Sequence, residues 1–156
     1  MMKKILVIED DKRIAAALEI RLKDAGYAVV TASDGLKGLT SAIETRPDLI
    51  ISDIWLPNAV GFLVAERLKN VGCGSTPVIF ITASKKQDLW KLAQEVGAAA
   101  FFEKPYDPEK LLKEISRILE TPAAAQSEST NAITLANWPA HSPTQSKRKR
   151  EKNTDR

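Results

Sequence analysis

Five short apolar runs recur along the first 120 residues, at 4–8, 27–31, 49–53, 77–81 and 99–102. Short continuous apolar runs bounded by turn signals read as strands buried on both faces. The stretches between them carry apolar residues at helical spacing. Ile14, Leu18, Leu22 and Ala25 mark a first helix, closed by Gly26 where a left-handed cap is expected. Leu36, Leu39 and Ile43 mark a second, capped by Ser33 or Asp34 and stopped at Arg46-Pro47-Asp48. Val64, Leu68 and Val71 mark a third, after an expected loop at 58–61 and before the breaker Gly72-Cys73-Gly74-Ser75. Leu89, Leu92 and Val96 mark a fourth, with Gly97 past its end. Leu111, Ile115 and Leu119 mark a fifth, behind the cap Asp107 with Pro108 in the first helical position.

Strands that alternate with helices on mostly short connections argue for a parallel α/β sheet covered on both faces, because parallel neighbours need crossovers. Right-handed crossovers leave few topologies, and a doubly wound (βα)5 sheet in the order 2-1-3-4-5 suits five units. From Thr121 the periodicity ends. Ile133, Leu135 and Trp138 are isolated apolar residues, too few to offset the entropy of ordering. The expectation is one domain at 1–120 and a disordered basic tail at 121–156, with a transient turn near 133–138.

Charge sharpens that division. The net charge of +3 lies in the tail, since basic and acidic residues balance over 1–120 while Lys147, Arg148, Lys149, Arg150, Lys152 and Arg156 crowd the end. A nucleic-acid-binding core therefore has no support from charge. No apolar run approaches the roughly 20 residues of a membrane span. The apolar stretch after Lys3-Lys4 is interrupted by Glu9-Asp10-Asp11, too early for a signal peptide, so a cytoplasmic protein is expected. Cys73 is the only cysteine, which leaves no internal disulfide. The only histidine, His141, lies in the tail, which leaves no histidine base or metal ligand within the fold.

Four of the strands end in polar residues: Glu9 and Asp10 after the first, Asp53 after the third, Thr82 after the fourth and Lys104 after the fifth. Alone, Asp53 would read as the cap of the next turn. In a parallel sheet, however, all carboxyl ends lie along one edge, where such folds place a ligand crevice. Three carboxylates crowded there repel, and a hard divalent cation such as Mg²⁺, which takes one or two carboxylates plus water and phosphate oxygens, relieves them. A lysine would pair with a carboxylate at rest and with phosphate oxygens when loaded. A nucleophile, a metal, a positive clamp and a hydroxyl suit phosphoryl transfer to a carboxylate. The chain has neither a P-loop nor a Gly-rich dinucleotide fingerprint, so the phosphoryl donor must be another molecule.

Four motifs in order and at matching spacing identify residues 2–120 as similar to the receiver domain of two-component response regulators. They are Ile5-Leu6-Val7-Ile8-Glu9-Asp10-Asp11, the stretch 47–57 around Asp53, the stretch 77–83 ending in Thr82-Ala83, and Gly97 through Glu103-Lys104-Pro105. The resemblance is closest to stand-alone, chemotaxis-regulator-like members and implies a flavodoxin-like fold, whose known strand order in this family is 2-1-3-4-5. It further implies that Asp53 accepts a phosphoryl group from a sensor histidine kinase. Asp10, Asp53 and the backbone carbonyl of Trp55 would ligate Mg²⁺, with Glu9 acting through water. Thr82 would swing toward the phosphoryl oxygens, and Lys104, before a cis Pro105, would contact them. Phe101 would be the aromatic switch that turns inward with Thr82, exposing an output on the fourth helix, fifth strand and fifth helix.

Simpler roles stand beside these. Asp11 is the expected cap of the first helix. Thr82 alone would be a satisfied strand-end hydroxyl, and of adjacent Phe101 and Phe102 one belongs to the core. Trp90 and Lys85-Lys86 suit a partner surface and a solvated helix face equally. Val60-Gly61 replaces the family's usual Asp-Gly, which should alter the loop and leave the chemistry intact. Trp55 is bulkier than usual two residues past Asp53, and is expected to shield an aspartyl phosphate.

The leading expectation is a phosphorylation switch that signals to a downstream protein, with no catalysis beyond its own phosphorylation and dephosphorylation, and with a homodimer left open. Two alternatives are a receiver whose tail, through Lys147–Arg150, holds an acidic partner or nucleic acid by counterion release, and a relay that passes the phosphoryl group to a histidine phosphotransfer protein.

Overall fold

The computed structural model describes residues 1–58, 60–86 and 88–121. The expected tail, its basic run and its turn near 133–138 lie outside the described residues. The elements alternate as β1 (Lys4–Ile8), α1 (Lys12–Asp24), β2 (Ala28–Ala32), α2 (Gly35–Thr45), β3 (Leu49–Asp53), α3 (Gly61–Asn70), β4 (Val78–Thr82), α4 (Leu89–Glu95), β5 (Ala100–Glu103) and α5 (Pro108–Glu120). All pairings are parallel, and the strand order is β2-β1-β3-β4-β5. This is the doubly wound order expected from the sequence. No described helix is long and apolar enough to cross a membrane.

Alternation along each strand splits the core into two layers. Leu6, Ile8, Ile50, Phe80 and Phe101 face one side, under Ala42, Val64, Leu68 and Ala93 from α2, α3 and α4. Ile5, Val7, Leu49, Ile51, Ile79 and Ile81 face the other, against Leu18 and Leu22 of α1 and Leu111 and Ile115 of α5. Both faces of β3 are dry, which is why its sequence is an unbroken apolar run up to its last residues.

The helix boundaries follow local chemistry. Asp11 caps α1, its Oδ1 accepting from the backbone N–H groups of Arg13 at 2.9 Å and Ile14 at 3.3 Å. Asp34, and not Ser33, caps α2, accepting from the Lys37 N–H at 2.8 Å. Asp107 caps α5 in front of Pro108. Gly26 and Gly97 adopt the left-handed conformation expected past α1 and α4. Val60, whose side chain has no polar atom, precedes α3 without a side-chain cap bond.

Two helices turn differently from their apolar spacing. Leu36 and Ile43 are 57% and 44% exposed, whereas Gly35, Gly38 and Ala42 form the buried face of α2. The physical reason is close approach: a methyl at Gly38 would stand 2.5 Å from Ile8 Cδ1. On α4, Leu92 is exposed and Ala93 is fully buried. Small residues let these helices sit tight on the sheet, and Leu36, Ile43 and Leu92 are left on the outside. Val71 and Ala25, read as the last apolar positions of their helices, are also exposed.

Candidate functional site

The carboxyl ends of β1, β3, β4 and β5 deliver their terminal polar residues to one crevice. Glu9 follows β1 and is nearly buried, although a charge there is costly without partners. Its partners are present: Oε2 accepts from Lys104 Nζ at 2.9 Å and Oε1 from the Asp11 N–H at 3.1 Å. Asp53 ends β3. Its Oδ2 accepts from Lys104 Nζ at 3.0 Å and its Oδ1 from the Trp55 N–H at 3.1 Å. Asp10 is exposed beside them. One carboxylate oxygen from each of Glu9, Asp10 and Asp53 lies within 4.8 Å of the others. Sequence reasoning had joined these three acids and Lys104 in one crevice, and the structure brings them together.

Burial is the largest influence on Glu9 and pushes its carboxyl above the usual range, outweighing the Lys104 and Asp11 bonds that pull it down. Burial also works against the charged form of Lys104, but the bonds and charges of Glu9 and Asp53 overcome it and raise the ammonium's pKa. Three carboxylates facing one ammonium leave the crevice net negative.

The donor set fits a small hard cation. Oxygens that ligate Mg²⁺ at 2.0–2.1 Å can stand at most about 4.2 Å apart. The three carboxylate oxygens, all within 4.8 Å of one another, lie close enough for one such ion to gather them directly or through water. The all-oxygen character of the set fits the same ion.

Thr82 is fully buried at the end of β4, its Oγ1 accepting from the Ser84 N–H at 3.2 Å. Its carbonyl accepts from the Lys104 N–H at 2.8 Å, so the backbone that carries the lysine is registered on the strand that carries the hydroxyl. The Lys104-Pro105 peptide is cis. Phe101 is buried in the layer that holds Phe80, while Phe102 faces the opposite layer and meets Tyr106 edge-on.

Three contacts at the site were not legible as such. Ser52, buried at the end of β3, donates to the Asp53 carbonyl at 2.8 Å. Gly61 opens α3 against β3, and a methyl on it would overlap the Asp53 carbonyl oxygen. Its traces in the sequence were a glycine at the end of a loop and its match to the glycine of the family's usual Asp-Gly. Lys86 Nζ stands 5.1 Å from the ring centroid of Trp55, a contact between loops that linear sequence does not encode.

Comparison with known proteins agrees with this geometry. Over 133 residues the chain is 35% identical to the alkaline phosphatase synthesis transcriptional regulatory protein PhoP of Bacillus subtilis, covering 84% of this chain and 55% of that protein. It is 37% identical over 136 residues to the response regulator ArlR of Staphylococcus aureus, covering 86% and 60%. The chain thus spans about half the length of the curated relatives it matches. The crystallised chemotaxis response regulator CheY4 of Vibrio cholerae superposes with a TM-score of 0.70 at 34% identity, covering 76% of this chain and 99% of that one. The response regulator receiver domain family matches residues 5–116. With that match, the (βα)5 order and the acidic crevice at its carboxyl edge, the chain belongs to the response regulator receiver domain family of two-component signalling.

Proposed function

We propose that Asp53 is the phosphoacceptor and that a sensor histidine kinase is the donor. The observation that carries this reading is the bridge of Lys104 Nζ to both Glu9 and Asp53, which sets a positive charge against the one carboxylate at the end of the central strand. In the transfer, an Asp53 carboxylate oxygen bonds to phosphorus as the bond from phosphorus to the donor's imidazole nitrogen breaks, and the electron pair stays on that nitrogen. Asp10, Asp53 and the Trp55 carbonyl would hold Mg²⁺, with Glu9 acting through water. The ion would neutralise the charge gathered on the phosphoryl oxygens. Lys104 then exchanges a carboxylate oxygen for a phosphoryl oxygen, and Thr82 Oγ1 leaves the Ser84 N–H to donate to another. Phe101, buried on β5 opposite Phe80, follows that movement, and the signal leaves through α4, β5 and α5 to a protein target. The chain's own chemistry is confined to gaining and losing this group, in the cytoplasm.

The test is exposure of the protein to acetyl phosphate with and without Mg²⁺, followed by intact mass, beside Asp53→Asn. A Mg²⁺-dependent gain of one phosphoryl group in the parent and none in the variant is the expected result. A gain that survives in Asp53→Asn would sink the assignment.

A second reading concerns the target. Curated relatives are named as transcriptional regulators, one of them as DNA-binding, which supports a route to nucleic acid through residues beyond the receiver. The run Lys147–Arg150 supplies the charge for it. DNA binding that falls steeply with salt and is lost on deleting 121–156 would favour this reading.

A further inference from the structure

Two loops leave the carboxyl edge side by side, because β3 and β4 are neighbours with Asp53 opposite Ile81. Each is tied down at its root. The Trp55 N–H donates to Asp53 Oδ1, and the Ser84 N–H donates to Thr82 Oγ1. Among the described residues, a cation–π contact joins their outer parts, with Lys86 Nζ at 5.1 Å from the Trp55 ring centroid. Trp55 is 47% exposed, yet the Asp53 side chain two residues away is only 11% exposed. A large ring left this open would sample several rotamers, and a cation fixed to its face limits them.

We propose that Lys86 is a positioning residue: it holds Trp55 at the mouth of the crevice and so slows the loss of a phosphoryl group from Asp53. The proposal rests on Asp53 being the phosphoacceptor. The loss it slows is hydrolysis. A water oxygen bonds to phosphorus, the bond from phosphorus to the Asp53 oxygen breaks with its electron pair returning to the carboxylate, and inorganic phosphate departs with a proton released to solvent. Lys86 touches none of these atoms. It acts by keeping the ring where the attacking water must pass.

An exposed cation–π contact is worth about 0.5–1 kcal/mol, which converts to roughly a two- to fivefold change in rate. The full chain is phosphorylated with acetyl phosphate and Mg²⁺, the donor is removed, and loss of the group is followed by intact mass. Lys86→Ala is expected to lose it two to five times faster, and Lys86→Arg, which restores a cation over the ring, at about the parent rate. In a Trp55→Ala background, Lys86→Ala is expected to add nothing. An unchanged rate in Lys86→Ala, or the same acceleration with Trp55 absent, overturns the proposal.

A second readout needs no phosphorylation. With Trp90 and Trp138 replaced by Phe, acrylamide quenching of the remaining Trp55 should increase in Lys86→Ala and return in Lys86→Arg. Equal quenching in all three refutes the clasp outright. If the parent gains no phosphoryl group, the site reading fails and takes the lifetime claim with it, while the quenching series still decides whether Lys86 holds the ring.

Discussion

Lys104 and Asp53 meet across a strand that separates them. Lys104 follows β5 and Asp53 ends β3, with β4 between, and the ammonium still lies 3.0 Å from Asp53 Oδ2 and 2.9 Å from Glu9 Oε2 beyond it. One flexible cation thus ties together the ends of three strands over the fully buried Thr82. Lys104→Ala leaves two crowded carboxylates without their counter-charge. Breaking a fully buried pair costs about 3–5 kcal/mol. This crevice opens to solvent, so a loss of about 2 kcal/mol is expected from urea unfolding without divalent ions. Millimolar Mg²⁺ should then raise the variant's midpoint more than the parent's, because the ion replaces the missing charge. An equal Mg²⁺ response in both proteins would mean that the lysine and the cation do not answer the same carboxylates.

The site was legible because a parallel sheet converts strand order into position. Once 4–8, 49–53, 77–81 and 99–102 read as parallel strands, Glu9, Asp10, Asp53, Thr82 and Lys104 had to share an edge. The first turns of helices were legible too, since Asp11 and Asp107 announce their role by their place before an apolar period. The outward faces of α2 and α4 were not. Periodicity ranks side chains by hydrophobicity, but Gly38 and Ala42 are buried because they are small, and a missing side chain adds nothing to an apolar pattern. Loop contacts, whether local like Ser84 with Thr82 or between two loops like Lys86 with Trp55, depend on conformations that the local sequence leaves open.

The inverted face of α2 gives a direct comparison. Leu36→Gln and Ile43→Gln remove apolar residues that the spacing would place in the core, yet each should shift stability by no more than about 0.5 kcal/mol, because both side chains are already about half solvated. Ala42→Leu adds apolar surface where the spacing shows none, and should cost about 1–3 kcal/mol through overpacking in the layer shared with Ile8. Chemical denaturation midpoints check all three. Large losses at Leu36 and Ile43 would restore the orientation read from periodicity.

Gly61 tests how closely α3 must approach the site. The atom a methyl would strike is the Asp53 carbonyl oxygen, which belongs to β3 and cannot rotate away, and Ser52 Oγ donates to that same oxygen. Gly61→Ala is expected to cost about 1–3 kcal/mol. It should also slow phosphoryl uptake from acetyl phosphate, since the β3–α3 loop carries the Trp55 N–H that positions Asp53. Gly74→Ala is the control: its methyl would meet Lys69 at 3.1 Å, far from the crevice, and should leave uptake unchanged.

Acid sensitivity should trace in part to Asp34. Its carboxylate caps α2 from a buried position, accepting from the Lys37 N–H at 2.8 Å with Lys37 Nζ 3.5 Å away. The Lys37 N–H is the largest influence and holds the group below its ordinary value of 3.8, against the opposing effect of burial and with help from the Lys37 charge. A carboxylate lowered in the folded state contributes stability that is present above the unfolded value and lost as pH falls through the folded one. Asp34→Asn keeps an oxygen for the cap and removes the charge. Its thermal midpoint should therefore lie below the parent's at neutral pH, with the gap closing as pH drops below the ordinary aspartate value. Paired melts at about pH 7, 5, 4 and 3 measure it. A gap that stays constant across the series would mean that α2 uses the oxygen of Asp34 and not its charge.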